Sequence, residues 1–285
     1  DAILSPFRDF KTKSSTDGNS IDVLDGIRGL AVLIVLASHT NSFGMYAQGS
    51  LGVLLFYFLS GFVLMLPFVK NPKSIRMGGK LKYFYLNRIL RIVPIYVVVV
   101  AITAIYLGEN FFWFTYNVTF LKGWNHFWSV AQEVRFYLLF PIVIFFLGLA
   151  KDELFRILIL SVFVFLACKY MHLHKVDMMD GRFVKFYVFV FLAGCLCCQV
   201  VACNIIFSFL DNFYIEIILS VITVLIFLFM FFSSQFFFNC FWKPIFPSIP
   251  KDFAVNGWGY PKLWTVLFFI FFLQLVYYRK GLVHF

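Results

Sequence analysis

Apolar runs long enough to cross a bilayer recur from one end of this chain to the other, and nothing else constrains its fold as much. A helix rises about 1.5 Å per residue, so about 20 apolar residues cover the hydrocarbon core. Segments at 27–43, 51–69, 90–107, 134–150, 154–171, 183–203, 213–232 and 263–278 meet or approach that length. Of the 285 residues 62% are hydrophobic and 42 are Phe, which leaves too little polar surface to cover a soluble globule. The chain is therefore read as an all-α, polytopic transmembrane helix bundle with about eight crossings. One membrane domain occupies 23–285, with no soluble catalytic domain attached. Residues 1–22 read as a flexible cytoplasmic N-terminal tail that lacks the apolar stretch of a cleavable signal peptide. The sequence starts without Met and reads as a fragment of a longer chain.

A net charge of +10 raises nucleic acid as a partner, but the distribution argues against it. Basic residues gather between the second and third segments: Lys70, Lys73, Arg76, Lys80, Lys82, Arg88 and Arg91. Cytoplasmic loops are rich in Lys and Arg, which places this loop inside, together with an N-terminus carrying Arg8, Lys11, Lys13 and Arg28. Segments around 108–133, 172–182 and 233–262 then face outward, although Lys169, Lys175, Arg182 and Lys185 oppose the rule. Cys195, Cys197, Cys198 and Cys203 lie inside one apolar segment, where Cys packs as a small residue. No His or carboxylate accompanies them, so no metal site is expected.

Four polar clusters interrupt the apolar background. Asp25-Gly-Ile-Arg28 opens the first segment, and His39 follows eleven positions later. For a helix that starts at Arg28, a rise of about 16 Å carries His39 to the membrane middle. An ionisable group at that depth is a functional-site hypothesis by default. Asp25 is placed to cap the helix start and to pair with Arg28. The second cluster is Gly52-Val-Leu-Leu-Phe-Tyr-Phe-Leu-Ser60-Gly61-Phe62, whose small residues suit close helix packing. The third, Arg88-Ile-Leu-Arg91, puts two planar donor forks suited to phosphate on one helix face, although a positive-inside anchor explains it equally. The fourth and densest runs from Trp124 through His126, Trp128, Gln132, Glu133 and Arg135 to Tyr137. An interfacial aromatic belt explains its rings but not a carboxylate at the lip of an apolar helix, although Glu133 and Arg135 also fit simply solvated residues.

Taken in order, Arg28…His39, Phe56-Tyr57-Phe58-Leu59-Ser60-Gly61, Arg88-Ile-Leu-Arg91 and His126-Phe-Trp-Ser-Val-Ala-Gln-Glu133-Val-Arg-Phe-Tyr137-Leu-Leu-Phe-Pro141 resemble the acyltransferase-3 family of membrane O-acyltransferases. The resemblance covers residues 22–150; beyond them only hydropathy corresponds. It implies a bundle of about ten helices, so either this chain is cut after Phe285 or this member is short. It also implies transfer of an acyl group, commonly acetyl from acetyl-CoA, to hydroxyls of extracytoplasmic glycans, in the cytoplasmic membrane of a bacterium.

The chemistry suits the residues. Moving an acyl group from thioester to hydroxyl needs a base, and neutral imidazole is the usual one, which points to His39. Arg88 and Arg91, with Arg28, would bind the acyl-CoA phosphates at the inner face. Ser60 or Glu133 would orient the base or the acceptor. Glu133 is expected on the outer side, in a recess roofed by Trp124 and Trp128, where they and Tyr137 hold a sugar. Membrane lipid and a glycan or lipid-linked saccharide are the implied partners. Two rival readings are a transporter, which predicts inverted repeats and Gly- or Pro-broken helices not evident here, and a non-catalytic scaffold of the same fold.

Overall fold

A computed structural model describes residues 19–40, 49–69, 71–76, 80–120, 123, 127–173, 187–203, 213–232, 243–248 and 261–277. The elements among them are all helical. The longer helices are α1 (Asn19–His39), α2 (Gly49–Met65), α3 (Lys80–Leu107), α4 (Phe111–Val118), α5 (Trp128–Leu147), α6 (Glu153–Leu173), α7 (Val188–Val201), α8 (Phe213–Phe232) and α9 (Pro261–Tyr277). Two 3₁₀ turns, Leu66–Phe68 and Pro72–Arg76, join α2 to α3, and a short helical turn covers Lys243–Ile245. Each of the eight apolar segments of the sequence overlaps one of these helices. Four helices are long and apolar enough to cross a membrane: Gly49–Phe68, Leu81–Leu107, Trp128–Leu147 and Glu153–His172. Their surroundings differ sharply. The window in α2 is 67% buried and that in α6 only 6%, although both are apolar all round. Ile95, Ile102, Ile105 and Tyr106 of α3 and Phe165 of α6 are likewise exposed. Apolar cover on that scale is stable against hydrocarbon and not against water, so this is an integral membrane protein.

Contacts divide the chain into two compact units, residues 1–59 with 206–285, and residues 60–205, the boundary falling within α2. In the first unit, α1 and the start of α2 run antiparallel and close together. A Cβ added at Gly52 would lie 2.6 Å from the Ala31 carbonyl oxygen and 2.8 Å from Val35 Cγ2, and one at Gly49 would meet Ser38 Oγ. Small residues at such a seam let helix backbones approach. On the other side of α2, Phe58 packs against Phe268 and Phe272 of α9, ring centres 6.2 and 5.0 Å away. Here α1 departs from the sequence reading. It begins at Asn19, within the predicted tail, and ends at His39. Asp25 is therefore inside the helix and not its cap, and His39 stands at a helix end instead of halfway along one.

In the second unit, α6 packs along α7. Gly61 of α2 lies so close to the Phe191 carbonyl of α7 that a Cβ there would overlap it. The Cys195 thiol donates to the Gly61 carbonyl at 3.2 Å. Cys197, Cys198 and Cys203 are buried too. The route from α3 to α5 decides where the polar residues fall. At the end of α3, Gly108 takes φ +66. Its amide bonds to Ile105 O (3.3 Å), and that of Glu109 to Ala104 O (2.9 Å). This is a left-handed helix stop of the kind glycine permits. Asn110 then caps α4 by accepting from the Trp113 amide at 2.9 Å.

Helix α4 folds back along α3, placing Trp113 against Tyr96, Val100 and Ala104. It stops after one short run, and the stop is held by side chains. The Tyr96 hydroxyl donates to Asn117 O at 3.1 Å, and Arg135 donates from Nε (2.9 Å) and Nη2 (2.6 Å) to Phe120 O. The Asn117 carbonyl also accepts the Phe120 amide at 3.0 Å, and carbonyls at a helix end are costly to leave bare away from water. Phe120 has φ 57, which is strained for a bulky residue, and its ring stacks on Tyr96 at 4.8 Å. Because α4 takes up the first part of the return, α5 begins only about halfway along α3. Phe84 then meets Phe140 (5.6 Å), and Tyr96 meets Phe127 (5.7 Å), in antiparallel register.

Candidate active site

That register brings Arg88 of α3 to Tyr137 of α5, with the guanidinium carbon 5.4 Å from the ring centre and 5.9 Å from that of Phe84. One turn before Tyr137 along α5 stands Glu133, and the Tyr137 hydroxyl donates to its Oε1. Ser60, near the end of α2, donates to the same oxygen at 3.1 Å. Side chains from α2 and α5 thus meet on one carboxylate, and Arg88 of α3 lies over the ring of one of them. Residues 133 and 137 share a face because four residues make about one helical turn. Tyr137 is buried, while Ser60, Glu133 and Arg88 remain partly accessible. A cation over the Tyr137 ring is attracted to its π face. Both hydroxyls use Oε1, and a carboxylate has a second oxygen with which to meet an incoming hydroxyl.

The arrangement rearranges the expected geography. The sequence separates Arg88 and Arg91, inside, from Glu133, outside. The antiparallel register instead sets Glu133 level with Arg91. The physical reason is the α4 fold-back, which lowers the start of α5 by half the length of α3. Arg91 is exposed. Tyr137, grouped by sequence with the acceptor-binding rings, is only 6% exposed and lies beneath Arg88. Trp128 sits against Tyr187, ring centres 5.9 Å apart. Trp124 lies outside the described residues.

The remaining candidates, Arg28 and His39, belong to the first unit. Arg28, expected to touch the donor, is paired with Asp25. The His39 Nδ1 lies 2.7 Å from the Val35 carbonyl oxygen, and the Ser38 hydroxyl donates to that oxygen at 2.6 Å. A carbonyl oxygen only accepts, so Nδ1 is the donor in that contact. Among the described residues, no group of three His, Cys, Asp or Glu side chains could hold a metal ion. The sequence reading missed Arg135, whose bond to Phe120 spans 15 residues and has no local signal.

Fold and site together define a polytopic helical membrane protein whose polar chemistry is gathered around a carboxylate. A sequence profile described as an acyltransferase domain, that of the acyltransferase-3 family, matches residues 21–281. The chain belongs to that family. It is similar to the peptidoglycan O-acetyltransferase OatA of Listeria monocytogenes, 29% identical over 149 residues, covering 41% of this chain and 23% of that protein. A putative O-acetyltransferase of Staphylococcus aureus is 26% identical over 160 residues, covering 47% and 26%. The O-acetyltransferase OatA of Staphylococcus aureus is 28% identical over 150 residues, covering 44% and 24%. The matched stretch is thus about a quarter of the length of these curated relatives. No solved structure matches the chain.

Proposed function

We propose that this chain is the membrane domain of an O-acetyltransferase that moves an acetyl group from acetyl-CoA to a hydroxyl of an extracytoplasmic glycan or lipid-linked saccharide. The observation that carries the reading is the carboxylate of Glu133, gripped by Ser60 and Tyr137 and level with Arg91, inside the segment that most resembles the family. The relatives named for O-acetylation, one of them acting on peptidoglycan, support acetyl as the group and a glycan as the acceptor class. In the reaction, the acceptor oxygen attacks the thioester carbon, the C–S bond breaks, and CoA leaves as the thiol after protonation. His39 supplies the base that takes the acceptor's proton. Glu133 aligns the acceptor hydroxyl, and Arg91, with Arg88 behind it, binds the donor's phosphates. The domain sits in the cytoplasmic membrane of a bacterium with the basic loop and N-terminus inside. The test is product analysis. Surface glycans from cells with the intact gene are expected to carry ester-linked acetyl groups that a deletion strain lacks; identical ester content in both overturns the proposal.

A further inference from the structure

We infer that Arg135 is a positioning residue for Glu133: its guanidinium closes the break between α4 and α5 and so holds the first turns of α5 in the rotation that brings Glu133 to Ser60. The inference rests on the proposed role of Glu133. Residues 133 and 135 are separated by about 200° around the helix, so their side chains leave α5 on opposite sides. One side reaches back to α4, where Nε and Nη2 of Arg135 converge on Phe120 O at 2.9 and 2.6 Å. The other reaches α2, where Glu133 Oε1 meets Ser60 Oγ at 3.1 Å. An Arg fork with two nitrogens on one oxygen resists both sliding and turning, as a single Lys donor would not. The far anchor is itself fixed, because Phe120 stacks on Tyr96 at 4.8 Å and Tyr96 bonds Asn117 O at 3.1 Å. At the start of α5, Phe127 makes no side-chain cap. Arg135 acts through Glu133.

The test uses the full chain, purified in detergent as Arg135→Gln, Arg135→Lys and Glu133→Gln variants, with turnover and KM measured for acetyl-CoA. Arg135→Gln is expected to lose turnover by about 10²-fold, the scale on which an ångström of misplacement acts, with KM and helical content unchanged. Arg135→Lys is expected to recover part of the loss. A second readout needs no activity. In a Glu133→Cys chain, alkylation of the new thiol, above the background of the native cysteines, is expected to quicken once Arg135→Gln is added. If Arg135→Gln does not fold, Arg135→Lys carries both measurements. An unchanged alkylation rate overturns the inference, as does full turnover of the Arg135 variants beside an inactive Glu133→Gln. Full turnover of Glu133→Gln overturns instead the functional reading of the site, and the alkylation rates still decide whether Arg135 holds α5.

Discussion

Two hydroxyl donors on one carboxylate oxygen make Glu133 a rigid acceptor, and the predictions at the scale of residues follow from that. Glu133→Gln keeps the shape but loses the charge. Turnover is expected to fall by about 10²–10⁴-fold with acetyl-CoA affinity unchanged, as kinetics in detergent will show. A loss of affinity alone would instead make Glu133 part of the donor site. Arg91 is exposed, so its replacement disturbs little packing. Arg91→Lys exchanges a planar fork for a point charge and is expected to weaken acetyl-CoA binding, measured by titration, without lowering the unfolding temperature. Affinity at the wild-type level would leave Arg91 an anchor at the membrane face. His39→Ala is expected to abolish acetyl transfer while the protein still inserts. Near-normal transfer by that variant would end the case for His39 as base.

Helices here are held by close backbone approach as much as by side chains. Gly61 has no room for a methyl group, since the Phe191 carbonyl occupies the place, whereas Gly26 has open space around it. Gly61→Ala is expected to destabilise the protein by about 1–3 kcal/mol, the usual cost of overpacking, seen as an earlier thermal transition in detergent. Gly26→Ala is expected to be neutral or mildly stabilising, because Ala is the better helix former. Equal behaviour of the two would mean that α2 and α7 part more easily than their contact implies. The same logic explains the break between α4 and α5. Lipid tolerates an interrupted helix only where protein satisfies the carbonyls, and Tyr96 and Arg135 do so.

Across the whole molecule, the positive charge gathered between α2 and α3 predicts which way the protein sits. A Lys73→Cys thiol, on an exposed position of that loop, is expected to react with an impermeant reagent only after cells are opened. Labelling of intact cells would invert the topology and move Arg91 to the outer side. The helical character was legible throughout, because hydropathy is a local property that each segment carries alone: every apolar segment overlaps a helix. The residues of the site were legible as well, since Ser60, Arg88, Glu133 and Tyr137 are polar groups in places where an apolar residue would be the default. Their grouping was not. Gly108 and Asn110 do mark the turn into α4, but the halt of α4 at Phe120 depends on Arg135, fifteen residues on, and on Tyr96 in another helix. That halt sets where α5 begins, and with it the level of Glu133 beside Arg91. Arg28 met Asp25 by simple helical spacing. Sequence alone determined which stretches are helical and which residues are chemically unusual, because lipid judges each segment by itself. Only the tertiary structure decided which of those residues meet, because the register between helices is set by buried carbonyls and rings that find their partners far along the chain.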